Sequence, residues 1–197
     1  MKITKKKLLL VVVLAVVIIL AAYLIWHAAY KASLPYKYYD HINKYAQEYD
    51  VPAEVIYAVI KVESDFDVKA ESSVGARGLM QMMPKTFEWL TGKEHLNENL
   101  SALMLYDAET SIKYGAYYLK YLYAKFENTE TFLAAYNGGE GNVAKWLKDE
   151  SYSKDGKTLS DIPFEETKKY VEKVSDEIQT YKKLYQNIQS EVKQNEQ

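Results

Sequence analysis

Val62-Glu63-Ser64-Asp65-Phe66-Asp67-Val68-Lys69-Ala70-Glu71-Ser72-Ser73-Val74-Gly75-Ala76-Arg77-Gly78-Leu79-Met80-Gln81-Met82-Met83-Pro84 is the stretch on which the reading of this chain turns. Upstream of it, Val55, Ile56, Val59, Ile60 and Val62 recur at helical spacing. Pro52 stands where a first helical turn tolerates it, and Asp50 is placed to cap. Glu63 therefore ends an apolar helix. A carboxyl group desolvated against side chains such as Met80, Met82 or Met83 resists ionisation, so it keeps its proton near neutral pH and can give it to a leaving oxygen. Gly75 and Gly78 let the backbone between turn sharply, at positions where a Cβ would obstruct a ligand. The bland alternative is a solvated Glu at a helix end, which position alone favours.

What reverses those odds is a run of motifs. Glu63-Ser64 followed by S-x-x-G-A-x-G-L-M-Q-x-M-P from Ser72, then Ala135-Tyr136-Asn137-Gly138-Gly139, then Ile162-Pro163-Phe164-Glu165-Glu166-Thr167-Lys168-Lys169-Tyr170-Val171, resembles the soluble lytic transglycosylase family in the same order. Asp107 to Gly115 resembles the family's helix-opening segment, with Ser111 where Asn is frequent, a change read as tolerable at a helix start. The resemblance covers roughly residues 38 to 185. It implies an all-α, lysozyme-like domain of the goose-type-lysozyme kind. It also implies cleavage of the β-1,4 bond between N-acetylmuramic acid and N-acetylglucosamine in peptidoglycan glycan strands, with closure of a 1,6-anhydro ring. Glu63 is then the catalytic residue. Ser72, Tyr136 and Glu166 map onto positions gathered around it, Gln81 and Met83 onto groove-lining positions, and Asn137 onto the turn after Tyr136. Glu166 is either a partner tuning Glu63 or a first-turn Glu favoured by the helix dipole. A muramidase using water at the same bond and a catalytically silent wall-binding protein are the competing readings.

The chain has 197 residues, 48% apolar and 26% charged, with no Cys and a net charge of −2. That suits one globular domain and excludes disulfides, thiolate metal sites and a lipid-modified cysteine. His27, His41 and His95 form no cluster, so no metal and no cofactor is expected. Nineteen uncharged residues run from Leu8 to Trp26 after Lys2, Lys5, Lys6 and Lys7, about 28 Å of helix against a hydrocarbon core about 30 Å thick. The preceding lysines favour a cytoplasmic N-terminus, and Tyr23, Trp26 and Tyr30 resemble an interfacial belt. An uncleaved membrane anchor is expected, with the following domain outside the cytoplasmic membrane, because the run exceeds a signal-peptide core and lacks a small-x-small site. Without those four lysines the remainder carries −6 and no basic stripe, so nucleic acid is not an expected partner.

The domain expectation is 1–31 for lysines and anchor, 32–190 for the catalytic domain and 191–197 for a charged tail. Within it, periodicity predicts helices over Tyr36–Tyr49 (with Tyr38, Ile42, Tyr45 and Tyr49 on one face), to Glu63, from Pro84 to Gly92, from Asp107 to about Phe126, from Asn128 or Thr129 to Asn137, over Val143–Leu147, and from Pro163 to about Ile188. Lys31–Pro35 reads as a linker and Lys148–Ser160 as a polar loop. Most of the nineteen Tyr fall at helical spacing and read as core; Tyr136, just before a Gly-rich break, reads as a groove residue. Arg77 reads as groove wall or loop packing.

Overall fold

The computed structural model describes the backbone of residues 5–33 and 37–195, and side chains over 6–7, 12–26 and 37–186. It divides into two units, 1–37 and 38–197. In the first, α1 runs Lys5–Ser33, taking in Lys31 to Ser33, which the sequence assigns to a linker. Residues 34 and 35 of that linker, residue 36 at the start of the expected first helix, and Lys2 lie outside the described residues. The side chains of Val12–Trp26 are all exposed, with Tyr23 and Trp26 in contact at 6.4 Å. Over the residues whose side chains are placed, no helix is long and apolar enough to cross a membrane, so a span rests on the sequence alone.

The second unit is all-helical: α2 (Tyr39–Tyr49), α3 (Ala53–Ser64), α4 (Pro84–Thr91), a 3-10 turn (Ala102–Tyr106), α5 (Ala108–Phe126), α6 (Thr129–Gly138), α7 (Glu140–Trp146) and α8 (Glu165–Asn195). Among the described residues the only extended pairings are two isolated bridges, Glu71 with Arg77 and Arg77 with Met82. The centre is α3, buried at Ala53 and at every residue from Val55 to Ile60. A helix apolar all round needs neighbours on all sides, and α8, α2 and α5 supply them. Full burial of Ile56 or Ile60 stabilises by about 1.5–3 kcal/mol each. Tyr57 stacks on Tyr181 of α8 at 5.2 Å and 9°, which fastens the longest contact in the domain. A second cluster, Met82, Phe87, Leu90, Leu105 and Tyr114, seats α4 on α5.

The capping residues explain most boundaries. Asp107 accepts from Thr110 N–H at 2.9 Å and Asn128 from Thr131 N–H at 3.0 Å, which starts α5 and α6 where the sequence places them. Three expectations need correction. Asp50 does not cap α3: it closes α2 in a left-handed conformation (φ 55°), and Pro52 itself is the N-cap of α3. Tyr38 is outside α2 at φ 62°, while Ile42, Tyr45 and Tyr49 are buried as the periodicity requires. Pro163 precedes α8 rather than opening it, and α8 continues to Asn195, past the expected end near Ile188.

Candidate active site

Glu63 sits in the last turn of α3, where the negative end of the helix disfavours a carboxylate. The residue is half-buried, and its carboxyl is pushed up to about 7 from 4.5, first by desolvation and against a smaller opposing effect of the Tyr170 hydroxyl. Tyr170 is 7% exposed. Its hydroxyl has no hydrogen-bond partner of ordinary geometry among the described residues, yet it lies close enough to Glu63 to favour the carboxylate. Tyr136, on α6, also feels the Glu63 charge, and burial together with that charge drives its phenol well up.

The loop after Glu63 is fixed to its surroundings at two successive peptide units. Ser64 donates to the Leu79 carbonyl at 2.8 Å, Met80 N–H donates to the Ser111 hydroxyl at 3.3 Å, and the Tyr136 hydroxyl donates to the Met80 carbonyl at 2.8 Å. Three hydroxyls from α3, α5 and α6 thus hold Leu79–Met80. Two glycines make the approach possible: a Cβ on Gly78 (φ 76°) would overlap the Leu105 carbonyl oxygen, and one on Gly115 would overlap the Met80 thioether. Ser111, 1% exposed, is therefore a loop anchor inside the core, not the neutral helix-start substitution that the sequence suggests.

The other expected site residues divide. Ser72 accepts from Ala76 N–H at 3.0 Å and so shapes its own turn. Gln81 adopts φ 44°, uncommon for a side-chain-bearing residue, and its amide donates to the Ala70 and Gly78 carbonyls at 3.1 and 3.0 Å. Met83 is 40% exposed at the start of α4, while Met80 and Met82 are buried. Met82 belongs to the Phe87 cluster. Arg77 pairs with Glu71 at 3.2 Å and lies over Tyr106, which is loop packing. Asn137 accepts from the Thr167 hydroxyl at 2.8 Å and joins α6 to α8. Exposed Glu166 lines a cavity of about 480 Å³ with Asn137, Gly138, Pro163 and Phe164.

Sequence reasoning missed Tyr170, Ser64 and Ser111. Tyr170 falls in the Pro163–Val171 motif, and that was its signal; its helical spacing with Val174, Ile178 and Tyr181 hid it among core residues. Among the described residues there is no cluster of metal-ligating side chains.

The site thus joins a half-buried helix-end carboxyl, the Tyr170 phenol beside it and a Gly-containing loop held by hydroxyls from three helices. The Transglycosylase SLT domain family matches residues 40–159, and the chain belongs to that family. It is 37% identical over 142 residues to the soluble lytic murein transglycosylase of Escherichia coli K12, covering 71% of this chain and 22% of that protein. The crystal structure of the 70 kDa soluble lytic transglycosylase from Escherichia coli superposes with a TM-score of 0.68 at 33% identity, over 77% of this chain and 25% of that one. The membrane-bound lytic murein transglycosylase C of Edwardsiella ictaluri is 32% identical over 123 residues, covering 56% of this chain and 33% of that protein. The chain thus spans about a quarter of the length of these relatives.

Proposed function

We propose that this protein is a membrane-anchored lytic transglycosylase that cleaves the β-1,4 bond between N-acetylmuramic acid and N-acetylglucosamine in peptidoglycan, leaving 1,6-anhydro-N-acetylmuramic acid ends. The observation that carries the reading is the setting of Glu63: a carboxyl at the end of a buried helix, pushed up to about 7 by desolvation, with the Tyr170 hydroxyl beside it. Retaining and inverting hydrolases ordinarily work with a carboxylate pair, and here Glu166 is exposed at the start of α8. One group must then serve twice. Glu63 donates its proton to the leaving oxygen as the C1–O bond breaks. The resulting carboxylate, facing the Tyr170 hydroxyl, takes the proton of the muramic acid 6-hydroxyl as O6 bonds to C1. The substrate's own acetamido group can support the positive charge in between, as in other substrate-assisted glycosidases.

In this reading Ser72 and Gln81 hold the shape of the loop beneath the sugar, and Met83 offers an exposed apolar contact. Tyr136 fixes the loop beside the acid, and Asn137 with Glu166 forms the wall at the α6–α8 junction. The uncharged run Leu8–Trp26 and the lysines before it favour a single-pass anchor, N-terminus inside and catalytic domain outside. A membrane-bound relative is compatible with that.

Product mass tests the reaction. Muropeptides released from sacculi in ¹⁸O-water should carry no label at the new muramic acid end and weigh one water less than lysozyme products; labelled reducing ends would establish a muramidase instead. Protease treatment of intact cells tests the anchor: the domain should be cut from outside while the N-terminal fragment stays with the membrane.

A further inference from the structure

In the first turn of α8, Glu166 is exposed while the residue after it turns inward: Thr167 is 2% exposed. A threonine in a helix commonly turns its hydroxyl back on the carbonyl three or four residues before it. Thr167 instead donates across to α6, to the Asn137 side chain at 2.8 Å. The acceptor is held in its own right. The Asn142 amide donates to the Gly138 carbonyl at 2.8 Å and Gly139 N–H to the Ala135 carbonyl at 3.0 Å, so the end of α6 is fixed without α8. The helices approach closely here, because a Cβ on Gly138 would lie 3.0 Å from the Thr167 hydroxyl and 3.2 Å from the Trp146 ring.

Each partner of this bond sits beside a phenol of the site. Tyr136 precedes Asn137 on α6 and donates to the Met80 carbonyl. Tyr170 lies three residues after Thr167, on the same side of α8, 7% exposed and with its hydroxyl beside Glu63. Tyr136 and Tyr170 are the titratable groups that feel the Glu63 charge. Where Tyr170 stands depends on the register of α8. Burial of Val171 and Val174 keeps the helix on the core, but apolar packing is non-directional. The other polar contacts of this turn, Lys168 with Asp161 and Lys169 with Glu165, are surface ion pairs of the kind worth little. A slip of one residue would move Tyr170 about 1.5 Å along the axis of α8 and about 100° around it.

We propose that Thr167 is a positioning residue for the reaction: its buried hydrogen bond to Asn137 sets the register of α8 on α6, and with it the distance from the Tyr170 hydroxyl to the Glu63 carboxyl. The inference rests on the reading of Glu63 as the group that gives and then takes a proton, and deepens it by assigning the residue that keeps the facing hydroxyl in place.

The test uses the full chain in detergent, with sacculi as substrate. Thr167→Val keeps the shape of the side chain and removes the donor. It should lower kcat roughly tenfold to a hundredfold and leave KM within about twofold. It should also raise the limb of the pH profile that belongs to Glu63 by about one pH unit, because the hydroxyl that favours the carboxylate has moved away. Tyr170→Phe should reproduce both changes, and adding Thr167→Val to it should cost nothing further, since Thr167 acts through Tyr170. Thr167→Ser, which keeps the donor, should restore most of the rate. A rate loss with the limb unmoved, or losses that multiply in the double variant, overturns the role and leaves Thr167 a packing residue. If Thr167→Val does not fold, Asn137→Ala removes the same bond from the acceptor's side and is read by the same limb. A ¹³C titration of the Glu63 carboxyl, assigned against Glu63→Gln, needs no substrate. A titration that moves in Thr167→Val, in an enzyme whose products are not anhydro ends, keeps the positioning and discards the transglycosylase reading; an unmoved titration in an enzyme that makes anhydro ends does the reverse.

Discussion

Two helix ends carry the two acidic residues that the sequence places at the site, and they differ in every physical respect. Glu63 occupies the last turn of α3, the negative end of a buried helix, next to a loop pinned by three hydroxyls. Glu166 occupies the first turn of α8, the positive end, on the surface. Dipole and desolvation act together against charge at the first. The proton affinity of a carboxyl depends on where its helix stops and what buries it, more than on the motif that contains it.

The sharpest way to break this contrast is to remove the proton itself. Glu63→Gln should cost about 10²–10⁴-fold in turnover with the thermal transition retained; near wild-type activity at unchanged stability would remove Glu63 from the chemistry. The loop that supports this end is the next target. Gly78→Ala introduces a Cβ at φ 76° against a backbone carbonyl, and should destabilise by about 2–5 kcal/mol in urea unfolding. Titration comes third. The folded pKa of Glu63 is raised, from 4.5 to about 7, chiefly by desolvation, so between those values the folded state binds the proton that the unfolded state releases. Stability is therefore full below about 4.5 and declines as pH rises through about 7, by on the order of 1–3 kcal/mol, and activity falls above 7. Unfolding curves across pH 4 to 8 should show the decline in the wild type and a flat profile in Glu63→Gln. Ser111→Ala, which leaves the Met80 N–H unsatisfied, should cost about 1–3 kcal/mol, read in the same unfolding assay together with reduced turnover. The smallest effect is expected at the other helix end: Glu166→Gln should lie within about 0.5 kcal/mol of wild type and keep the pH profile. A large shift in that profile would make Glu166 a partner of Glu63 and dissolve the contrast.

Most helices were legible because their boundaries depend on local chemistry: Asp107, Asn128, Pro84 and Gly92 act on the turns next to them. The acid was legible because an apolar helical run stops at it. What did not show was which hydroxyl answers which carbonyl. Ser64, Ser111 and Tyr136 look like unrelated residues in one dimension, and only packing brings them to the same two residues, Leu79 and Met80. Tyr170 was legible as an inward residue, since period 3.6 gives the face; the side of the core its hydroxyl reaches depends on how α8 lies against α3. Tyr38 shows the limit of periodicity in the other direction, fitting the stripe of α2 while its backbone is left-handed. The anchor is legible only as composition, a property of Leu8–Trp26 that helical geometry alone neither adds to nor removes.

The Leu79–Met80 segment held by three hydroxyls also closes long stretches of chain. Its partners lie 15, 31 and 56 residues away along the chain, whereas each helix closes over neighbours four apart. Local structure forms before distant closures that must first overcome loop entropy. Helices can therefore be complete while the chain still has an ordinary, solvated glutamate at position 63. The raised pKa of Glu63 comes from burial that a separate helix does not supply, so its titration is a property of the assembled domain and can serve as a readout of tertiary structure.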